Sequence, residues 1–151
     1  MKFDLIDETN LKFHVVVLGP DGSSYEGGEW HYEFELVDDY PFHAPCKQNT
    51  LKAFTKLYHP TVTNLEEGIP HFLSCSSCSD DGWCPGMTIA TRFGELRRRM
   101  MAPDLDHLDC CSEIVKQSIQ VSKQEFEEKA REWTQKYAVP KYDELFDLKD
   151  E

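Results

Sequence analysis

The chain has 151 residues and a formal net charge of -12, long enough for one domain with its own hydrophobic core. That charge argues against nucleic acid as a partner, because phosphate binding needs a basic footprint. No stretch approaches the roughly 18 consecutive apolar residues of a membrane span, and the acidic, mixed opening from Met1 to Asn10 does not read as a signal peptide. A reducing compartment, cytosol or nucleus, is therefore the expected location, and the six cysteines read as free thiols rather than as a disulfide framework. Arg97, Arg98 and Arg99 make the one dense basic run, and they read as a solvated helix face.

In chain order, Leu11, Phe13, Val15 and Val17 alternate with Lys12, His14 and Val16, which is the period of a half-buried strand. Gly19-Pro20-Asp21-Gly22 supplies turn chemistry. Trp30, Tyr32, Phe34 and Leu36 then alternate with His31, Glu33 and Glu35, a second strand with one apolar and one charged face. Two such runs joined by a Gly-rich turn predict an antiparallel meander. The segment 38–45 is a proline-punctuated loop, and a third, less regular strand is expected at about 50–57. From His59 to Met87 no period is sustained, and a stretch of that length inside one domain points to function or to a hidden element.

Helices fill the remainder. Ile89, Phe93, Leu96 and Met100 form one apolar stripe, with Thr88 as N-cap and Pro103 as stop. A second helix is expected at about 112–120 with Ile114, Val115 and Ile119 inward. A third is opened by the capping-box pattern Ser122-Lys123-Gln124-Glu125 and carries Phe126, Ala130, Trp133 and Tyr137 as its stripe. Strands followed by helices define an α+β fold with helices against an antiparallel sheet. The chain reads as a single domain over 1–151, with a core at about 11–138 and an acidic tail at 139–151.

Five segments taken together carry a resemblance. Gly19 to Gly28 (GPDGSSYEGG) is similar to the strand-linking segment of ubiquitin-conjugating enzymes, and Asp39-Tyr40-Pro41-Phe42-His43-Ala44-Pro45 resembles the proline loop of that family. Tyr58-His59-Pro60 resembles its His-Pro-Asn motif, Trp83-Cys84-Pro85 its Trp-x-Pro, and Ala130 to Ala138 (AREWTQKYA) its closing helix. The resemblance implies the ubiquitin-conjugating fold, an antiparallel four-stranded meander with C-terminal helices. It implies acyl transfer in which ubiquitin or a ubiquitin-like modifier is held as a cysteine thioester and passed to a lysine or to a ligase cysteine. The implied partners are the modifier, an activating enzyme and a RING- or HECT-type ligase, and no cofactor is expected.

That chemistry needs a thiolate, an oxyanion donor and help in deprotonating the incoming amine. In the family the cysteine follows a glycine-containing turn after His-Pro-Asn. Counting from Gly68 puts His71 in its place, whereas counting back from Trp83 puts Cys75 there. Cys75 is the expected nucleophile, with Cys78 second. Thr61 stands where the family has asparagine and is the oxyanion candidate, while His59 reads as a structural loop residue. Asp106 matches the acidic residue that assists the amine, with His107 as a possible helper; the alternative for both is turn and cap chemistry. Phe42 matches the phenylalanine offered to ligases, and Pro85 with Gly86 the second ligase loop; Phe42 as a core residue is the competing reading.

Two other readings stand beside this one. The family's basic first helix, which docks the activating enzyme, has no counterpart in Met1 to Asn10, and the first strand is expected at about Leu11. With His71 and Thr61, this favours a catalytically inactive variant acting as a binding or adaptor module. His71, Cys75, Cys78 and Cys84 also form H-x3-C-x2-C-x5-C, four soft ligands with a spacing open to tetrahedral zinc.

Overall fold

The computed structural model describes residues 1–9, 11–43, 50–74, 84–106, 108 and 111–139. Four strands, β1 (Lys2–Asp7), β2 (Lys12–Leu18), β3 (Glu29–Glu35) and β4 (Lys52–Ala53), form one antiparallel sheet in the order β1-β2-β3-β4. Helices α1 (His71–Ser74), α2 (Ile89–Met101), α3 (Glu113–Val121) and α4 (Lys123–Tyr137) follow. This is the expected meander with helices after it.

The register explains why alternation was a sound guide. Val15 pairs with Tyr32, Val17 with Trp30 and Phe13 with Phe34, so one apolar face is continuous across two strands. Against it α2 lays Phe93, Leu96 and Met100, all buried, with Ile89 half-buried beside them. The Phe93 ring lies 5.6 Å from Phe34 and 6.0 Å from Tyr32. Burying each such side chain contributes about 1.5–3 kcal/mol. Thr88 caps α2 by accepting the Thr91 N–H at 3.2 Å, and Ser122 caps α4 by accepting that of Glu125 at 3.0 Å, so both helices start where the capping pattern put them.

Three expectations need correction. The first strand begins at Lys2, not at Leu11. Its apolar residues Phe3 and Leu5 remain 36% and 47% exposed because an edge strand is covered on one side alone, which blurs its period. The third predicted strand contracts to Lys52–Ala53. In α3 Val115 is fully buried but Ile114 is 58% exposed, and Ser118 points inward instead. Positions 115 and 118 share a face at helical spacing, and the Ser118 hydroxyl is held there, accepting from Tyr58 Oη at 2.8 Å and donating to the Val115 carbonyl at 2.8 Å.

The stretch without period is organised by polar contacts rather than by a stripe. Asn64 reverses the chain, its carbonyl accepting from Glu67 and Gly68 N–H, and Gly68 stands at φ +69°. The returning chain bridges Val62 to Pro70. A Cβ at residue 68 would press into the Thr55 carbonyl oxygen in a backbone conformation that L residues avoid. Gly68→Ala is therefore expected to destabilise the fold by about 2–4 kcal/mol, read as a lowered urea midpoint at unchanged slope. An unaltered midpoint would remove this turn from the structural account.

Candidate functional site: the 58–62 turn and its neighbours

Tyr58, His59, Pro60, Thr61 and Val62 form a turn closed by the Val62 N–H donating to the His59 carbonyl at 3.0 Å. It is pinned from several elements. Tyr25 Oη donates to the Tyr58 carbonyl at 2.6 Å, Tyr58 Oη reaches Ser118 on α3, and the Ser112 N–H donates to the Val62 carbonyl at 3.2 Å.

His59 is fully buried, and its partners define its tautomer. Nε2 lies 3.0 Å from the Arg99 carbonyl, which can only accept, so Nε2 carries the hydrogen. Nδ1 then accepts, from the Thr61 N–H at 3.1 Å and from the Thr61 hydroxyl at 2.8 Å. Burial pushes the imidazole down to about 4, with the Arg99 carbonyl opposing, so the ring is neutral at physiological pH and both nitrogens are engaged. It is a structural residue, as expected. The Thr61 hydroxyl proton points at His59, so the oxyanion candidate has its single donor already committed.

His71 occupies the other side of this turn. Its N–H donates to the Thr61 carbonyl at 2.6 Å, directly after the Val62–Pro70 bridge. The segment Gly68–His71 thus lies against 61–62. Helix α1 is fixed on α2 by Arg92, buried, whose guanidinium donates to the Phe72 carbonyl at 2.6 Å, and by Arg99, stacked 4.3 Å from the Phe72 ring centre. A cavity of about 320 Å³ opens beside Thr61, walled by His59, Pro60, Arg98, Arg99 and Asp104. Arg98 and Arg99 both clamp Glu95 at 2.7 to 2.9 Å; the Arg98 hydrogen bonds foremost, then those of Arg99, pull its carboxyl down to about 2.

Of the remaining expected residues, Cys75, Cys78 and His107 lie outside the described residues. Asp106 is exposed, and its N–H donates to Asp104 Oδ1 at 3.0 Å, the contact of an Asx turn. Phe42 is 74% exposed, which rules out the core reading; Pro85 and Gly86 are exposed too. Cys84 is an exposed free thiol. Cys111 is buried, and desolvation pushes its thiol up to about 11, too high for a nucleophile at neutral pH. Among the described residues no group of three or more His, Cys, Asp or Glu could hold a metal ion, and of the suggested zinc set His71 and Cys84 alone are described. Sequence reasoning missed Arg92 and the Arg99 carbonyl, since neither belongs to a motif and each acts on a residue far along the chain.

A four-stranded antiparallel meander with helices behind it and a His-Pro turn held on the central helix defines the class. Residues 1–134 match the ubiquitin-conjugating enzyme family, and the chain belongs to that family. It is 37% identical over 134 residues to ubiquitin-conjugating enzyme E2 N of Drosophila melanogaster, covering 88% of this chain and 81% of that protein. It is 35% identical to ubiquitin-conjugating enzyme E2 13 of Schizosaccharomyces pombe, covering 87% and 82%. The E2 domain of a Toxoplasma gondii ubiquitin conjugating enzyme superposes with a TM-score of 0.73 at 22% identity, covering 90% of this chain and 86% of that one, a likeness of fold.

The state of His59 has a consequence for pH. An unfolded histidine titrates near about 6.5, so between that value and about 4 the unfolded chain binds the proton and the folded one refuses it. Stability from this group is complete above the unfolded value and falls as pH drops through the window, by about 3 kcal/mol in all. His59→Asn is expected to be less stable at neutral pH yet to lose stability less steeply between those limits. Equal slopes in urea titrations of the two proteins would show His59 protonated in the fold.

Proposed function

We propose that this chain serves ubiquitin-like protein conjugation as a binding member that does not itself carry the modifier. The observation that supports this is that His71, whose N–H donates to the Thr61 carbonyl, is the residue that the count from Gly68 brings to the position where the resemblance calls for a cysteine. An acyl group on imidazole is a hydrolysing intermediate, not a store comparable to a thioester. The Thr61 hydroxyl, turned to His59, leaves the site without its expected oxyanion donor, and loss of one such donor costs about a hundred- to a thousand-fold in rate. Exposed Phe42 with Pro85 and Gly86 supplies the aromatic and proline contacts that a ligase or a true conjugating enzyme would grip. Cytosol and nucleus are the compartments this reading takes.

One observation favours a second reading: counted back from Trp83-Cys84-Pro85, Cys75 falls in the nucleophile's place. In that case the chain is a thioester enzyme using Cys75, with Cys78 second, Thr61 as oxyanion donor and Asp106 with His107 near the amine.

Incubation with activating enzyme, ATP and ubiquitin, or other modifiers in parallel, followed by reducing and non-reducing gels, separates the two. The expected result is no reducible adduct on the wild-type chain beside an active control enzyme, an adduct on His71→Cys, and chemical-shift changes in labelled ubiquitin or a partner conjugating enzyme on mixing. A wild-type adduct lost on reduction and absent in Cys75→Ala would establish the enzyme instead.

A further inference from the structure

Of the basic run on α2, two residues are spent on the fold and one is not. Arg98 and Arg99 clamp Glu95, and Arg99 stacks on Phe72. Arg97 does neither. It is exposed, its Nε donates to the Leu18 carbonyl at 3.1 Å, and among the described residues no carboxylate pairs with it. Beside it a shallow groove of about 400 Å³ is lined by Met1, Pro20, Gly94, Arg97, Arg98 and Met101. Met1 and Met101 are 38% and 56% exposed, so the groove joins an apolar floor to an unneutralised cation.

The chain itself supplies a segment of matching chemistry. Residues 140–151 (PKYDELFDLKDE) carry Tyr142, Leu145, Phe146 and Leu148 among five acids and two lysines. That segment is net -3, which leaves -9 of the chain's -12 on residues 1–139. Most of the surface therefore repels it, and the run at 97–99 attracts it. The place where it leaves the fold is also near. The Glu29 N–H donates to the Ala138 carbonyl at 2.9 Å, Glu29 pairs with Leu18, and the Leu18 carbonyl is the one that Arg97 holds. Two or three strand spacings, about 10–15 Å, thus separate Ala138 from Arg97. Twelve residues span about 18 Å as a helix and about 40 Å when extended, so the segment reaches in either form.

We propose that the acidic tail folds back onto α2, with the Phe146 ring between Met1 and Met101 and the neighbouring Glu144 and Asp147 at Arg97. Methionine methyls and sulfur pack well against an aromatic ring, and an exposed arginine gains from carboxylates brought to it. The ion pairs weaken with added salt while the ring contact does not. This latch goes beyond the conjugation reading and stands whether or not the chain carries a thioester.

The test is methyl and amide NMR on the full chain, as wild type, Phe146→Ala and Arg97→Glu. With four methionines in the sequence, each methyl can be followed singly. The expected result is cross-relaxation between the Phe146 ring and the methyls of Met1 and Met101, lost in Arg97→Glu. Both methyls should also shift in Phe146→Ala, as the ring current disappears. Phe146→Ala alters no contact of the described fold, so methyls that stay in place would overturn the proposal. Tail amides indifferent to Arg97→Glu would do the same. Cross-relaxation that fades on dilution would hand the groove to a second copy of the chain and overturn the latch as well.

Discussion

The hydrogen bond from His59 Nε2 to the Arg99 carbonyl is the contact on which the site depends. A buried imidazole has to satisfy both nitrogens or bear a desolvation penalty of several kcal/mol. Here one nitrogen ends the last turn of α2, supplying a donor to a carbonyl that has no intrahelical partner, and the other holds Thr61. The helix, the turn and, through the Thr61 carbonyl, the return strand at His71 are therefore one unit. Removing the ring would leave a helix-end carbonyl and the Thr61 hydroxyl without partners at the same time.

That economy limits what these groups can do. A group that holds structure by donating its hydrogen cannot also donate it to a developing oxyanion unless the first bond breaks. Tyr58, His59, Thr61 and Arg92 all have their polar atoms engaged within the fold. The same is true of Asp106 in part, since its N–H closes a turn with Asp104. Phe42, Pro85, Gly86 and the Cys84 thiol are exposed. Recognition needs exposed anchors on a rigid frame, and catalysis needs a poised thiol and a spare donor. Among the described residues the first condition is met.

How much of this was legible in the sequence depends on the range of the interaction. Alternation in Phe13–Val17 and Trp30–Phe34 was legible because the sheet has one dry face, and a period of two is a local consequence of that. The caps at Thr88 and Ser122 were legible because a cap acts within three residues. β1 was not, because at the edge its apolar residues stay half-exposed. Ile114 was misplaced because hydrophobicity outvoted a serine whose inward position depends on Tyr58, sixty residues away in the chain. The competing counts to His71 and Cys75 had the same origin. Both are correct distances along the chain, and spacing alone does not choose between them.

Buried histidines stand in two different settings in this fold, and the difference lies in what surrounds each ring. His59 sits among a carbonyl, an amide and a hydroxyl, all neutral, so burial favours the uncharged ring and holds it so far below neutrality. His14 and His31, 3.1 Å apart, have carboxylates near both outer ends. At His71 the backbone is joined to Thr61 and the residue is half-buried.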